Sequence, residues 1–159
     1  MKGSETHRIL VVCDDPDRLR LLGSILDDQS DCRLDNCATR LLGVRQFRTH
    51  RQPIVIIDAA MAGTFPRRLF GLMRKLRRHV VTVVAAFQAG EIEGLRRLGL
   101  GSREVLDFSG DCSGARETLL FALEQARLRS RSLFRKHMLF HAALMLPVWA
   151  ALVWLLAQG

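Results

Sequence analysis

Three carboxylates fall where a sheet would gather them. Asp14 and Asp15 follow the apolar run RILVVC at Arg8–Cys13, and Asp58 closes PIVIID at Pro53–Asp58. Acids that converge on one sheet edge with no obvious basic partner at the strand ends mark a candidate functional site. Helix capping and loop solvation explain Asp14 and Asp15 equally well. They explain Asp58, directly after IVII, less readily. A second group lies near the end of the chain. His137 and His141 are four residues apart and share a helix face. Such a pair can ligate a metal, and His141, inside an apolar stretch, is a candidate axial haem ligand. A hydrogen bond to a neighbouring helix is its simpler role. Cys32 and Cys37 form C-x4-C with no second pair, which is not zinc spacing.

Composition sets the frame for these groups. The chain has 159 residues, 48% apolar and 25% charged, which excludes a disordered chain. Its net charge of +8 is unevenly spread. Residues 127–136 hold Arg127, Arg129, Arg131, Arg135 and Lys136, and no acid lies between 127 and 159. Directly after this cluster comes MLFHAALMLPVWAALVWLLA, residues 138–157. As a helix it reaches about 30 Å, the thickness of a bilayer core. A helix apolar on every side needs either lipid or a large protein around it. The sequence therefore predicts one carboxyl-terminal transmembrane helix, 138–157, preceded by a basic juxtamembrane continuation, 127–137, and a domain at 1–126. Basic residues stay on the cytoplasmic side, and MKGSETHRILVVC lacks a signal-peptide pattern. The expectation is a single-pass, tail-anchored protein of the inner (cytoplasmic) membrane with its amino-terminal domain in the cytoplasm. Its four cysteines should then be reduced.

The domain alternates strands and helices. Short β-branched runs predict strands at Arg8–Cys13, Cys32–Cys37, Pro53–Asp58, Val80–Phe87 and Glu104–Phe108. Helical spacing predicts helices over Arg18–Leu26, Leu41–His50, Pro66–Arg78, Glu91–Leu98 and Ser113–Arg135, with Gly99 ending the fourth. Five such units predict an α/β fold, a five-stranded parallel sheet wound on both faces. Functional groups of such sheets collect at the carboxyl ends of the strands, where Asp14, Asp15 and Asp58 fall.

HRILVVCDDPDRLRLLGSILDD resembles the opening of a response-regulator receiver domain, a flavodoxin-like fold, and PIVIIDAAM resembles its phosphoacceptor strand. The separation of 44 residues between Asp14 and Asp58 agrees with that family, and the likeness covers roughly residues 7–128. The resemblance implies that two acids after strand 1 and Asp58 hold Mg2+, and that Asp58 accepts a phosphoryl group. A Thr or Ser should end strand 4 and a Lys should follow strand 5. Here Cys13 takes the place of the first acid and Asp14 that of the second. Ala85 stands at the hydroxyl position and Phe108 at the lysine. Asp14 and Asp58 still offer two oxygen ligands to Mg2+. The fixed positive charge and the hydroxyl that phosphoryl transfer relies on are missing.

The expected function is therefore that of a pseudo-receiver, not an enzyme and with no cofactor required. It would act as a regulatory or structural accessory subunit of an integral membrane protein complex. The alternatives are a working receiver phosphorylated on Asp58 and an electron-transfer subunit that shares a haem through His141. Arg127, Arg129, Arg131, Arg135 and Lys136 are expected to contact anionic lipid. Arg67, Arg68, Arg74, Lys75, Arg77 and Arg78 read as one strongly basic helix, either a solvated face or a contact with anionic lipid or an acidic partner. Nucleic acid is not expected as a partner, because no recognition helix module or aromatic platform is present.

Overall fold

In a computed structural model the chain divides into two compact units, residues 1–126 and 127–159. The structure describes residues 7–26, 32–63, 66–110 and 112–157. The first unit holds strands β1 (His7–Val12), β2 (Cys32–Cys37), β3 (Ile54–Asp58), β4 (Val81–Ala86) and β5 (Val105–Asp107). They form one parallel sheet in the order β2-β1-β3-β4-β5. The helices are α1 (Pro16–Leu26), α2 (Arg40–His50), α3 (Ala59–Ala62), α4 (Pro66–Leu76), α5 (Ala89–Arg97) and α6 (Ser113–Ala157). Each of the five strands and five helices expected of the first unit is present. The four-residue α3 and a single 3-10 turn at Ser102–Glu104 are additional.

Burial on both faces explains the unbroken apolar runs. Alternate residues of each central strand serve two separate cores. Ile9, Val11, Ile54 and Ile56 pack with Leu22 and Leu26 of α1 and with Leu119 and Leu123 of α6. Leu10, Val12, Val55 and Ile57 pack with Phe47 of α2, Phe70 and Met73 of α4, and Leu95 of α5. The strand order reverses between β1 and β3, so their carboxyl ends flank the crevice where ligands of doubly wound sheets bind.

Local signals set the helix ends. Asp15 caps α1: its Oδ1 accepts from the N–H groups of Asp17 at 2.8 Å and Arg18 at 3.3 Å, with Pro16 in the first turn. Gly99 ends α5 with φ of 78°, and the Gly99 and Leu100 amides close on the Arg96 and Leu95 carbonyls. Most expected boundaries shift by one or two residues, and the helix opened by Ser113 runs on to Ala157 rather than ending at Arg135. The helix read over Pro66–Arg78 stops at Leu76, so Arg77 and Arg78 lie beyond it.

The second unit is the remainder of α6, with Pro147 inside the helix. Met138, Met145, Leu146, Trp149 and Trp154 are exposed there. Among the described residues no helix is long and apolar enough to cross a membrane. Most side chains of 138–157, the span expected from sequence, lie outside those residues.

Gly43 and Gly71 permit a direct test of the packing. A Cβ on Gly43 would stand 2.6 Å from Cγ2 of Val12, which is buried and stiff at χ1, whereas nothing lies within 4 Å of one on Gly71. Gly43→Ala should therefore destabilise by about 1–2 kcal/mol through overpacking. Gly71→Ala should stabilise by up to about 1 kcal/mol through helix propensity. Urea unfolding of both variants checks the opposite signs.

Candidate functional site

Asp58 ends β3 at the crevice beside β1 and is 1% exposed. Its carboxylate is fully engaged. Oδ1 accepts from the Ala60 backbone N–H at 2.9 Å, which caps α3, and from Arg18 Nη1 at 2.7 Å. Oδ2 accepts from the Cys13 thiol at 3.1 Å. Cys13 follows β1 and Arg18 lies in the first turn of α1, so the strand order and the Asp15 cap together bring both to Asp58. The first turn is held further by a 3.5 Å contact between Arg18 Nε and Asp15 Oδ2.

Arg18 also reaches across the crevice. Its Nη1 lies 3.2 Å from Glu91 Oε1 on α5. The other oxygen of Glu91 accepts from the backbone N–H groups of Phe87 at 2.7 Å and Gln88 at 3.2 Å, closing the amino end of α5. The guanidinium stands 4.8 Å from the centre of the Phe87 ring, a cation–π contact. Phe87 also stacks on Phe108, with centroids 4.8 Å apart and planes 14° apart. One arginine thus ties β3, α1 and α5 together and rests on an aromatic pair.

The electrostatics follow from this geometry. Burial disfavours the Arg18 charge, but the Asp58 and Glu91 carboxylates outweigh it and hold Arg18 above its ordinary range. Burial, and then the hydrogen bond to Asp58, push the Cys13 thiol up to about 12. Cys13 is therefore a neutral hydrogen-bond donor to a charged carboxylate.

The residues present do not fit a Mg2+ site. Mg2+ requires hard oxygen ligands in octahedral array. Where the resemblance calls for a first carboxylate there is a protonated thiol. Asp14 is exposed, and both Asp58 oxygens are already occupied by donors. Among the described residues no group of three or more metal-binding side chains comes together. The positive charge beside Asp58 is supplied by Arg18. Ala85 and Phe108 are buried, and among the described residues the side chains that donate to the carboxylate are those of Cys13 and Arg18, neither a hydroxyl nor a lysine ammonium.

The other residues read from sequence lie elsewhere. Asp15 serves as the α1 cap. Cys32 and Cys37 stand at the two ends of β2, neither in a disulfide, and the Cys37 thiol donates to Gln46 Oε1 at 2.6 Å. His141 is exposed on α6, and Arg127 and Arg129 are half-buried there. The side chains of Arg131, Arg135, Lys136 and His137 lie outside the described residues. Sequence reading missed Arg18, Glu91 and Phe87. Arg18 is the basic partner that the strand ends alone do not reveal. A usable signal was the placement of Arg18 one turn after the Asp15 cap, which aims a first-turn side chain at the carboxyl edge.

The Cys13 thiol provides a test. Thiolate is the reactive form, so iodoacetamide near neutral pH should label Cys112 in the native protein and spare Cys13. Because the folded-state value is raised from 9.0 to about 12, the stabilisation from the protonated thiol is complete below the lower value and is lost as pH rises toward the upper. Stability should fall across that window, and less so in Cys13→Ala. Peptide mapping and melting curves measure both. Equal labelling of Cys13 and Cys112 would contradict the assignment.

Known structures share this architecture. A response regulator receiver domain protein from Clostridium thermocellum aligns with a TM-score of 0.59 at 17% identity, over 76% of this chain and 97% of that one. A pilus assembly-related protein from Burkholderia pseudomallei aligns with a TM-score of 0.57 at 19% identity, over 79% and 95%. A chemotaxis response regulator of Vibrio cholerae aligns with a TM-score of 0.51 at 14% identity, over 76% and 98%. No family model and no curated protein sequence matches the chain. The first unit has the five-stranded parallel fold of response-regulator receiver domains.

Proposed function

We infer that this chain is a membrane-anchored pseudo-receiver, a non-catalytic regulatory or structural subunit of a membrane protein complex. The observation that carries the reading is the Arg18 guanidinium 2.7 Å from Asp58, which neutralises the one carboxylate a phosphoacceptor mechanism would use. Phosphoryl transfer is catalysed by positioning and by charge held around the transferred oxygens. An incoming phosphodianion here would meet a carboxylate already paired with Arg18, with no second cation paired to that carboxylate among the described residues. The pocket is built for rigidity, and its retained surface is available for protein contacts.

The anchor is supported by the sequence of 138–157 and by the exposed Met138, Met145, Leu146, Trp149 and Trp154, an apolar surface that water does not favour. The five basic residues of 127–136 orient it with the first unit in the cytoplasm. Pilus assembly-related proteins stand beside response regulators among the structures with this fold, which agrees with a receiver fold used within an assembly.

The full chain, solubilised in detergent and recovered with its membrane partners, tests the reading. Incubation with acetyl phosphate and Mg2+ should leave both partner recovery and the intact mass of the chain unchanged. Removal of 138–157 should release the first unit from the membrane fraction. A Mg2+-dependent phosphoryl mass increment that alters recovery and vanishes in Asp58→Asn would establish the phosphoacceptor alternative instead.

A further inference from the structure

The six basic residues between Arg67 and Arg78 do not share one face. Arg67 donates to the Gly99 carbonyl, and Arg74 lies 3.6 Å from Glu104. Arg77 and Arg78 sit in the turn between α4 and β4, at the amino edge of the sheet, opposite the Arg18 site. α2 packs beside α4 and ends at the same edge with Arg48 and Arg51. Arg51 takes φ of 50° and its N–H closes α2 on the Phe47 carbonyl at 2.8 Å. The Arg77 N–H closes α4 on Met73 at the same distance.

Two adjacent helix ends thus present four arginines on one rim. Arg48, Arg51 and Arg78 are exposed and Arg77 is half-buried. Among the described residues none of the four is paired with a carboxylate. Burial and the neighbouring Arg51 charge lower Arg77 from its ordinary range. The helix carboxyl ends offset only part of this repulsion. An anion at the rim would relieve the rest.

The path of the chain says which anion. α6 starts just beyond the carboxyl end of β5 and lays Ala115, Leu119, Ala122, Leu123 and Ala126 against the sheet. Fourteen helical residues cover about 20 Å, the length of a six-residue strand, so Ala126 stands at the amino edge. From that edge the chain enters the basic stretch 127–136. No large exposed apolar side chain lies at 45–53 or 76–80, so the rim lacks the anchors of a protein interface.

We propose that the rim formed by Arg48, Arg51, Arg77 and Arg78 lies on an anionic bilayer surface and engages lipid headgroup phosphates. The proposal rests on the reading of 138–157 as an anchor, which tethers the first unit to the membrane through a basic segment that starts from this edge. The rim adds a second, salt-sensitive contact that fixes the orientation of the first unit.

Hydrogen exchange of the full chain in vesicles of phosphatidylcholine, with and without phosphatidylglycerol, tests it. Amides of 48–52 and 77–80 should exchange more slowly in the anionic vesicles. The difference should vanish at high salt and in Arg51→Gln/Arg77→Gln/Arg78→Gln, and persist in the corresponding triple Lys variant. That variant keeps the charge and controls for folding. Identical exchange in the two lipids overturns the proposal and leaves the rim to an acidic protein. Failure to float with phosphatidylcholine vesicles would mark failure of the anchor alone. The anionic arm then reads the rim as salt-sensitive co-flotation, weakened on the order of a hundredfold in the triple Gln variant, about fivefold per arginine. Equal co-flotation of that variant and wild type would overturn the rim.

Discussion

The contact between Arg18 and Asp58 is the constraint on which the carboxyl edge of this sheet depends. A carboxylate 1% exposed at the end of a buried strand is costly unless its charge is matched. Arg18 matches it at 2.7 Å, and the Ala60 amide and Cys13 thiol donate to it as well, so that both oxygens are hydrogen-bonded. Guanidinium suits this task because it is permanently charged and its several N–H groups address more than one acceptor. The same side chain binds Glu91, which holds the first turn of α5. Local caps and long-range charge therefore specify one arrangement of α1, β3 and α5.

This arrangement changes what the fold can do. Receiver-like sheets place acids at a crevice where a cation and a phosphoryl group would be held between movable loops. Here the cation is a side chain covalently part of α1. The crevice wall beyond it is an aromatic pair, Phe87 on Phe108, in place of groups that bond to phosphate. A site closed in this way favours a fixed shape, which suits a subunit that holds or orients partners. At the opposite edge the charge balance reverses. Arg8 there is paired with Asp35, but Arg48, Arg51, Arg77 and Arg78 lack carboxylate partners among the described residues, and the chain leaves the first unit on that side.

Much of this was legible in the sequence. Parallel strands buried on both faces read as unbroken apolar runs, and IVII and VVTVVAA announced β3 and β4 without ambiguity. Gly99 marked its helix end because a glycine there has a local mechanism, whereas α1 starts at Pro16, two residues before the expected Arg18. The four-residue α3 carries no periodicity and depends on the Asp58 cap, so nothing in AAMA foretold it. Arg18 was invisible for a different reason. It sits among other charged residues on an amphipathic helix, and its partners are 40 and 73 residues away. Pairings at that separation follow from the strand order, which composition and periodicity do not encode. The basic run from Arg67 to Arg78 misled in the converse way. Continuity in sequence suggested one helix, whereas α4 ends at Leu76 and leaves Arg77 and Arg78 in the turn beyond it.

Unfolding of wild type and Asp58→Asn, each with and without Mg2+, tests the central assignment most directly. Where carboxylates crowd a cation site, neutralising one relieves repulsion and stabilises the protein, and Mg2+ stabilises the wild type. The Arg18 account predicts the opposite. Asp58→Asn should destabilise by about 3 kcal/mol, the lower end of the range for breaking a buried pair, because it leaves Arg18 without its main partner. Mg2+ should leave the wild-type midpoint unchanged. A stabilised Asp58→Asn variant, or a wild-type midpoint that rises with Mg2+, would contradict the account.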